Sequence, residues 1–460
     1  MKMVEVTSPF DGKKIGEVPF TSKEELEKII DEAYEKFVNF KYRLPKYQIV
    51  EILEKAAKIC EENVEELTNL AASEGGKPYM DSKVEILRAI NGIKLAISHL
   101  GSYEGKQIAM GHTKSSENRI AYTFKEPIGV VAAISAFNHP FNLAVHQVVP
   151  AIAVGCPVII KPASSTPLSA FKLVEILEKA GLPKGYATAV LCDRDSAEML
   201  ASSKKISFLT FIGSAKVGWG LSKKVNNGTR IALEHGGVAP VIVEKDANLD
   251  EVLPALLKGG FYHAGQVCVS VQRVYAHKDI AKEIANKLAN LASKLVVGNQ
   301  MDPKTEVGPL IDPKEVSRVE EWVNTSGGEI LCGGKRLENN CYAPTVIYNA
   351  KDSATISQNE VFGPVVCVYS YENIDEAIKR ANSLDVSFQA AIFTKNIDTS
   401  IKAVKELNAT AVMVNDHTAF RVDWMPFGGA KSSGIGIGGI NYSMEEMSNQ
   451  KLFVVKSNSI

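Results

Sequence analysis

Ile128-Gly129-Val130-Val131-Ala132-Ala133-Ile134 decides the fold. The run is continuously apolar, as a parallel strand covered on both faces is, whereas a strand with one wet face alternates. Val158-Ile159-Ile160 is a second such strand. After it Thr166 suits an N-cap, Pro167 the first helical position, and Gly181 with Pro183 the exit. Residues 187–191 and 206–212 read as the third and fourth strands, the last ending at Gly213-Ser214 before a helix. Strands alternating with helices of this length imply a doubly wound α/β domain that holds its ligand at the carboxyl ends of the strands.

Working outward, 23–40, 46–74 and 81–100 carry apolar residues near helical spacing and read as core helices. A second α/β set follows Gly236-Gly237, with a strand at 240–243 and Asn248 capping a helix to about 264. A strand at 272–277 and a helix at 279–297 continue it. The two strand-like stretches 118–125 and 452–455 flank these sets, either as an ordinary edge hairpin or as an arm that pairs with another subunit.

Composition excludes several classes. At 460 residues and 45% hydrophobic the chain suits two or three globular domains. A net charge of −1 gives no electrostatic reason to expect nucleic acid. No apolar run reaches the roughly 18–20 residues that span a bilayer, and the first residues lack a signal peptide's apolar core. Seven Cys with no CxxC pair argue against a metal site and for reduced thiols in the cytoplasm. No GxGxxG follows the first strand, so the ordinary dinucleotide fingerprint is missing.

Cys268, in Gly265-Gln266-Val267-Cys268-Val269-Ser270, has no other Cys within 60 residues. Alone it reads as a small buried hydrophobe. Glu234, 34 residues upstream in Glu234-His235-Gly236-Gly237, reads alone as a strand end before a turn. Together a thiol and a carboxylate allow covalent carbonyl chemistry: the thiolate adds to carbon, and the carboxylate activates the water that later cleaves the thioester.

Seven stretches in order give this chemistry a context. They are 135–142 (Ser-Ala-Phe-Asn-His-Pro-Phe-Asn), Lys161-Pro162-Ala163-Ser164, Phe211-Ile212-Gly213-Ser214, Glu234-His235-Gly236-Gly237, Gly265-Gln266-Val267-Cys268, 360–365 (Glu-Val-Phe-Gly-Pro-Val) and 426–434 (Pro-Phe-Gly-Gly-Ala-Lys-Ser-Ser-Gly). In order and spacing the chain resembles the aldehyde dehydrogenase superfamily over nearly its whole length. The resemblance implies two doubly wound α/β domains, one cofactor-binding and one catalytic, plus a small β oligomerisation arm. The cofactor-binding domain is then 1–117 and 129–236 with 421–440 returning to it, the catalytic domain 237–420, and the arm 118–128 and 441–460. It implies Cys268 as nucleophile, Glu234 as base and Asn138 as oxyanion donor, although an Asn before His-Pro is otherwise a turn former. It also implies NAD or NADP as cofactor without a metal, held by Lys161, Ser164, Gly213, Ser214, Glu360 and Phe362. Partners are a small aldehyde and further copies of the chain in a homodimer or homotetramer.

Two departures carry information. Many NAD-preferring relatives place Glu where this chain has Ser164, and losing that carboxylate lets a 2′-phosphate approach, so NADP is expected to be accepted. His235 stands where Leu is common and either tunes Glu234 or fills space; space-filling is preferred, because neighbours on a strand face opposite ways. The stretches 137–142 and 420–427 resemble the branch that oxidises lactaldehyde, glycolaldehyde, phosphonoacetaldehyde and, without phosphorylation, glyceraldehyde-3-phosphate. They imply a small hydroxyaldehyde, lactaldehyde first, with a semialdehyde as an alternative. Arg421 contacts a hydroxyl or an anion, or pairs with Asp423. Phe427, with Phe137 and Trp424, walls the substrate tunnel or belongs to the core.

Overall fold

The computed structural model describes residues 2–459. One six-stranded sheet has the order Gly434–Ile435, Arg230–Glu234, Ile206–Ile212, Val130–Ile134, Val158–Lys161, Ala187–Ala189, parallel except for the short Gly434–Ile435 edge. Its central strand shows why the sequence is apolar throughout. Val131 and Ala133 enter the core formed by the helices Lys46–Glu62, Tyr79–Leu100 and Pro140–Val154, while Val130, Ala132 and Ile134 enter a second core on the opposite face. Alternate side chains leave opposite faces of a strand, so a sheet covered on both sides has no polar positions to offer.

A seven-stranded sheet forms the second unit, in the order Glu329–Cys332, Thr345–Tyr348, Val365–Tyr371, Arg273–His277, Pro240–Val243, Gln389–Phe393, Ala411–Val414. Only its Glu329–Cys332 edge runs antiparallel. The strands Arg119–Pro127 and Ser448–Lys456 pair antiparallel over nine residue pairs, with Gln107–Ile108 on the far side of Arg119–Pro127. The helix Ile440–Glu446 does not join that hairpin. It buries Ile440 and Met444 in the first unit's core, so the projecting C-terminal strand starts at Ser448.

Two local expectations are corrected. The stretch read as one helix over 46–74 breaks at Asn63, which has left helical geometry (φ −119°, ψ 25°) and caps the Ile59 carbonyl at 2.7 Å through its side chain. Thr166 is not the N-cap of the next helix. Pro167 holds that place without a capping bond, and the helix begins at Leu168. The N–H groups of Leu168 and Ser169 instead donate to Glu74, a fully buried carboxylate from the preceding helix, at 2.8 and 2.9 Å. An orphan pair of helix donors is thus satisfied from 94 residues away, an arrangement no local motif signals.

Truncating Glu74 strands both donors in a water-free core. Glu74→Ala is expected to lower the unfolding free energy by roughly 2–4 kcal/mol. Urea unfolding checks it: the midpoint falls and the slope stays.

Candidate active site

Four segments leave the carboxyl edge of the six-stranded sheet side by side. Ile134 leads into the Asn138 loop, Lys161 into Pro162-Ala163-Ser164, Ile212 into Gly213-Ser214, and Glu234 itself ends its strand. A cavity of about 680 Å³ opens there and runs to the second unit, which contributes Cys268. Asn138, Gly213, Ser214, Glu234, Cys268, Glu360, Phe362, Arg421 and Phe427 all line it.

The Cys268 loop is set by strained backbone. After the helix Leu249–Phe261 the turn Tyr262–Gly265 carries three consecutive left-handed residues, His263 (φ 50°), Ala264 (φ 53°) and Gly265 (φ 69°). A side chain at Gly265 would come within 2.1 Å of the Gly363 carbonyl, so both conformation and contact require glycine. His263 and Ala264 lack that freedom and cost roughly 1–3 kcal/mol each. Packing recovers the cost. Gln266 accepts from Ile311 N–H at 3.0 Å and donates to the Pro309 carbonyl at 3.2 Å, while Thr418 donates to the Val269 carbonyl at 2.8 Å. Val267 and Val269 pack with Phe388 and Phe427.

The loop delivers the Cys268 thiol to Glu234, with Sγ donating to Oε1 at 3.8 Å. The Asn138 amide donates to the Gln266 carbonyl at 3.0 Å, two residues before the thiol. One amide hydrogen is consumed and the other stays free for an oxygen placed beside Sγ.

Burial dominates the electrostatics. It pushes the Cys268 thiol well above its ordinary value; the nearby Glu234 and Glu360 carboxylates add to the shift, and Arg421 opposes it. Glu234 is raised, first by burial, with Arg421 and the thiol pulling it back. Glu360 is pushed up to about 8 by burial, and its Oε1 is buried without a partner among the described residues. A side chain at Gly236 would fall within 1.8 Å of that oxygen, so the Gly pair clears room for Glu360. His235 donates or accepts at the Gly213 carbonyl (2.8 Å) and meets Phe211 and Trp219 edge-on at 5.7 and 5.8 Å, a space-filling position.

Arg421 lies 3.5 Å above the Phe427 ring, and its Nε is buried without a partner. It makes no ion pair within 4.0 Å among the described residues. The alternative pairing with Asp423 does not occur, because Arg88 takes that carboxylate through two bonds (3.1 and 2.6 Å) and His146 through a third (2.9 Å). Phe137 lines the cavity and meets Phe362 edge-on at 5.7 Å, but Trp424 is 54% exposed and is not part of the wall.

Lys161 and Ser164 are not among the lining residues, although Ala163 between them is. The Lys161 ammonium folds back to donate to the Pro162 carbonyl at 3.1 Å, and Ser164 is exposed. Asn142, Tyr262 and Arg88, which the sequence reading left aside, do line the cavity. Only Asn142 carried a signal, standing in the 135–142 stretch already singled out. Among the described residues no group of three His, Cys, Asp or Glu is placed to hold a metal, and no helix is long and apolar enough to cross a membrane.

Comparison with known proteins gives these positions a family. The model of the aldehyde dehydrogenase family matches residues 1–453. A 3-sulfolactaldehyde dehydrogenase of Priestia aryabhattai is 38% identical over 456 residues, 98% of this chain and 94% of that protein. A lactaldehyde dehydrogenase of Methanocaldococcus jannaschii is 37% identical over 460 residues, 98% of this chain and 97% of that protein. The crystal structure of the glyceraldehyde-3-phosphate dehydrogenase GapN of that organism, complexed with NADP, superposes with a TM-score of 0.93 at 37% identity, covering 98% of this chain and 99% of that one.

The charges around Sγ make a directional prediction. In the cofactor-free protein the rate of Cys268 alkylation by iodoacetamide keeps rising through pH 9. Glu234→Gln removes a negative neighbour and moves the profile to lower pH; Arg421→Gln removes a positive one and moves it higher. Superimposable profiles for the three proteins would show that these groups do not govern the thiol.

Proposed function

The chain belongs to the aldehyde dehydrogenase family, and we propose that it oxidises a short hydroxyaldehyde bearing an anionic tail to its carboxylic acid, with NAD or NADP as the oxidant. The observation that carries this reading is the thiol of Cys268 held 3.8 Å from the Glu234 carboxylate beside the anchored Asn138 amide. Cys268 loses its proton and Sγ adds to the aldehyde carbon. A C–S bond forms and the carbonyl π pair moves onto oxygen, where the free Asn138 hydrogen and the Cys268 backbone N–H, engaged by no acceptor among the described residues, receive it. A bound nicotinamide supplies the acceptor for the hydride that leaves this carbon. Glu234, held as a stronger base by burial, takes a proton from water as its oxygen attacks the resulting thioester; the C–S bond breaks and the acid departs.

The cofactor fits the residues present. Glu360 offers an unsatisfied buried carboxylate oxygen at the cavity, as a ribose hydroxyl requires, and Ser135 offers an unsatisfied hydroxyl. Gly213 and Ser214 open the helix Ala215–Ser222 toward the same space, where a phosphate is favoured. No carboxylate stands at Ser164 to repel a 2′-phosphate, which supports use of NADP.

Two unsatisfied groups point to the substrate. The Arg421 guanidinium lacks a counter-charge, and the buried Asn142 side-chain oxygen lacks a donor. A tail such as sulfonate, phosphate or carboxylate answers the first and a hydroxyl the second. Lactaldehyde, favoured on sequence, supplies only the hydroxyl. The named activity of the 38%-identical 3-sulfolactaldehyde relative supports the charged alternative.

We further propose that copies of the chain meet through the arm as a homodimer or homotetramer. Its outer strand leaves Leu452, Phe453, Val454 and Val455 exposed in succession, a long apolar edge that isolated proteins avoid. Leu452→Glu with Val454→Glu is expected to give a monomer in analytical ultracentrifugation.

A substrate panel tests the main reading. With 3-sulfolactaldehyde, glyceraldehyde-3-phosphate, phosphonoacetaldehyde, succinic semialdehyde, lactaldehyde and glycolaldehyde, kcat/KM is expected to be highest for an anionic hydroxyaldehyde. Arg421→Gln lowers it for that substrate roughly 100-fold and for lactaldehyde little. Equal loss on charged and neutral substrates removes the anion assignment. A kcat/KM for NADP about a thousandfold below that for NAD, roughly 4 kcal/mol of discrimination, removes the cofactor assignment.

A further inference from the structure

The helix Pro140–Val154 begins one residue after the Asn138-His139 pair, yet it has no cap of its own. His139 holds the N-cap place without a side-chain capping bond. The first-turn N–H groups of Phe141 and Asn142 instead donate to a single oxygen, Oε1 of Glu85, at 2.9 and 3.0 Å. Glu85 comes from the helix Tyr79–Leu100 and is 1% exposed. Its other oxygen, Oε2, is bonded and ion-paired to Lys77, whose side chain is wholly buried. Each carboxylate oxygen therefore has one task, and no water takes part in either.

Glu85 belongs to a stripe. Asp81, Glu85 and Arg88 stand at i, i+4 and i+7 on that helix, one face of it. Asp81 lies against the backbone N–H of His263 in the turn that delivers Cys268. Arg88 grips Asp423, two residues after Arg421. One helix face thus reaches the three loops that carry the thiol, the oxyanion donor and the unpaired guanidinium.

We propose that Glu85, held by Lys77, is a positioning residue that fixes the Asn138 amide against the Gln266 carbonyl and so sets the oxyanion donor beside Cys268. The proposal rests on the reading of Asn138 as that donor. Its physical basis is stiffness. Between the Glu85-bound N–H of Phe141 and the Asn138 side chain lie only His139 and Pro140, and proline fixes its own φ. With its first turn pinned by a buried carboxylate, the loop cannot drift. Without that carboxylate two orphan donors in a dry core pull it toward any other acceptor.

Paired substitutions separate position from stability. K77M/E85M replaces a buried ion pair by apolar side chains of similar length, which keeps the packing but removes the acceptor. K77M/E85Q also removes both charges but keeps an amide oxygen where Oε1 stands. K77M/E85M is expected to lose kcat roughly 10–100-fold with the cofactor KM unchanged, since misplacing a reacting geometry by about 1 Å costs that much. K77M/E85Q is expected to keep most of the wild-type kcat. Combined with N138A, K77M/E85M adds no further loss, because the group it positions is gone.

Multiplicative losses in the combined variant overturn the proposal, as does wild-type kcat in K77M/E85M beside an impaired N138A. An N138A enzyme with wild-type kcat fails the underlying reading instead. If K77M/E85M does not accumulate as folded protein, E85Q alone supplies the same cycle, since its amide nitrogen faces the Lys77 ammonium or the two N–H groups.

Discussion

A thiol carried by one parallel-sheet unit lies 3.8 Å from a carboxylate carried by the other, and the rest of the molecule is arranged around keeping that meeting dry. Neither sheet could make the contact alone. Glu234 ends a strand of the six-stranded sheet, where the carboxyl edge exposes four loop starts at once. Cys268 follows the first helix of the seven-stranded unit and is turned across the seam by three left-handed residues. The strain in that turn is tolerable because Gln266, Val267 and Val269 are each fastened on a different side.

Dryness then dictates the chemistry. With two carboxylates close by and no bulk water, the resting thiol keeps its proton. Arg421 is the opposing charge, and burial weakens even its hold on a proton. A guanidinium enclosed without a partner is costly unless something anionic arrives. The same desolvation makes Glu234 a better base than a solvated carboxylate, so one physical cause both holds the nucleophile in reserve and prepares the hydrolytic step.

How much of this the sequence disclosed depended on whether a partner was local. The strand 206–212 was readable residue for residue, because burial on both faces leaves an unbroken apolar run. Asn248 was readable as a cap because its acceptor and donor are two residues apart. Thr166 misled for the converse reason: the helix after it is capped by Glu74, far back in the chain. Arg421 and Asp423 looked like a pair, being two residues apart, yet Asp423 binds Arg88 from 335 residues away. Cys268, Glu234 and Asn138 could be picked from motifs, and the fold brings them to one cavity. Lys161 and Ser164 came from the same kind of reading and sit outside its lining, since the lysine found a nearer acceptor in Pro162.

Capping from a distance has its own logic beside an oxyanion donor. A helix start is most simply satisfied by Ser, Thr, Asp or Asn at the N-cap. Here the N-cap is His139, adjacent to Asn138, and a capping oxygen there would sit next to the amide that has to stay free for a developing negative charge. An Asp would also place its own charge beside that oxygen. Taking the carboxylate from a neighbouring helix and neutralising it with Lys77 satisfies the same N–H groups from the side away from the thiol. Two carboxylates, Glu74 and Glu85, cap helices in this remote way from one continuous helical region, 64–100, which is then less a core filler than the frame on which both helix starts are hung.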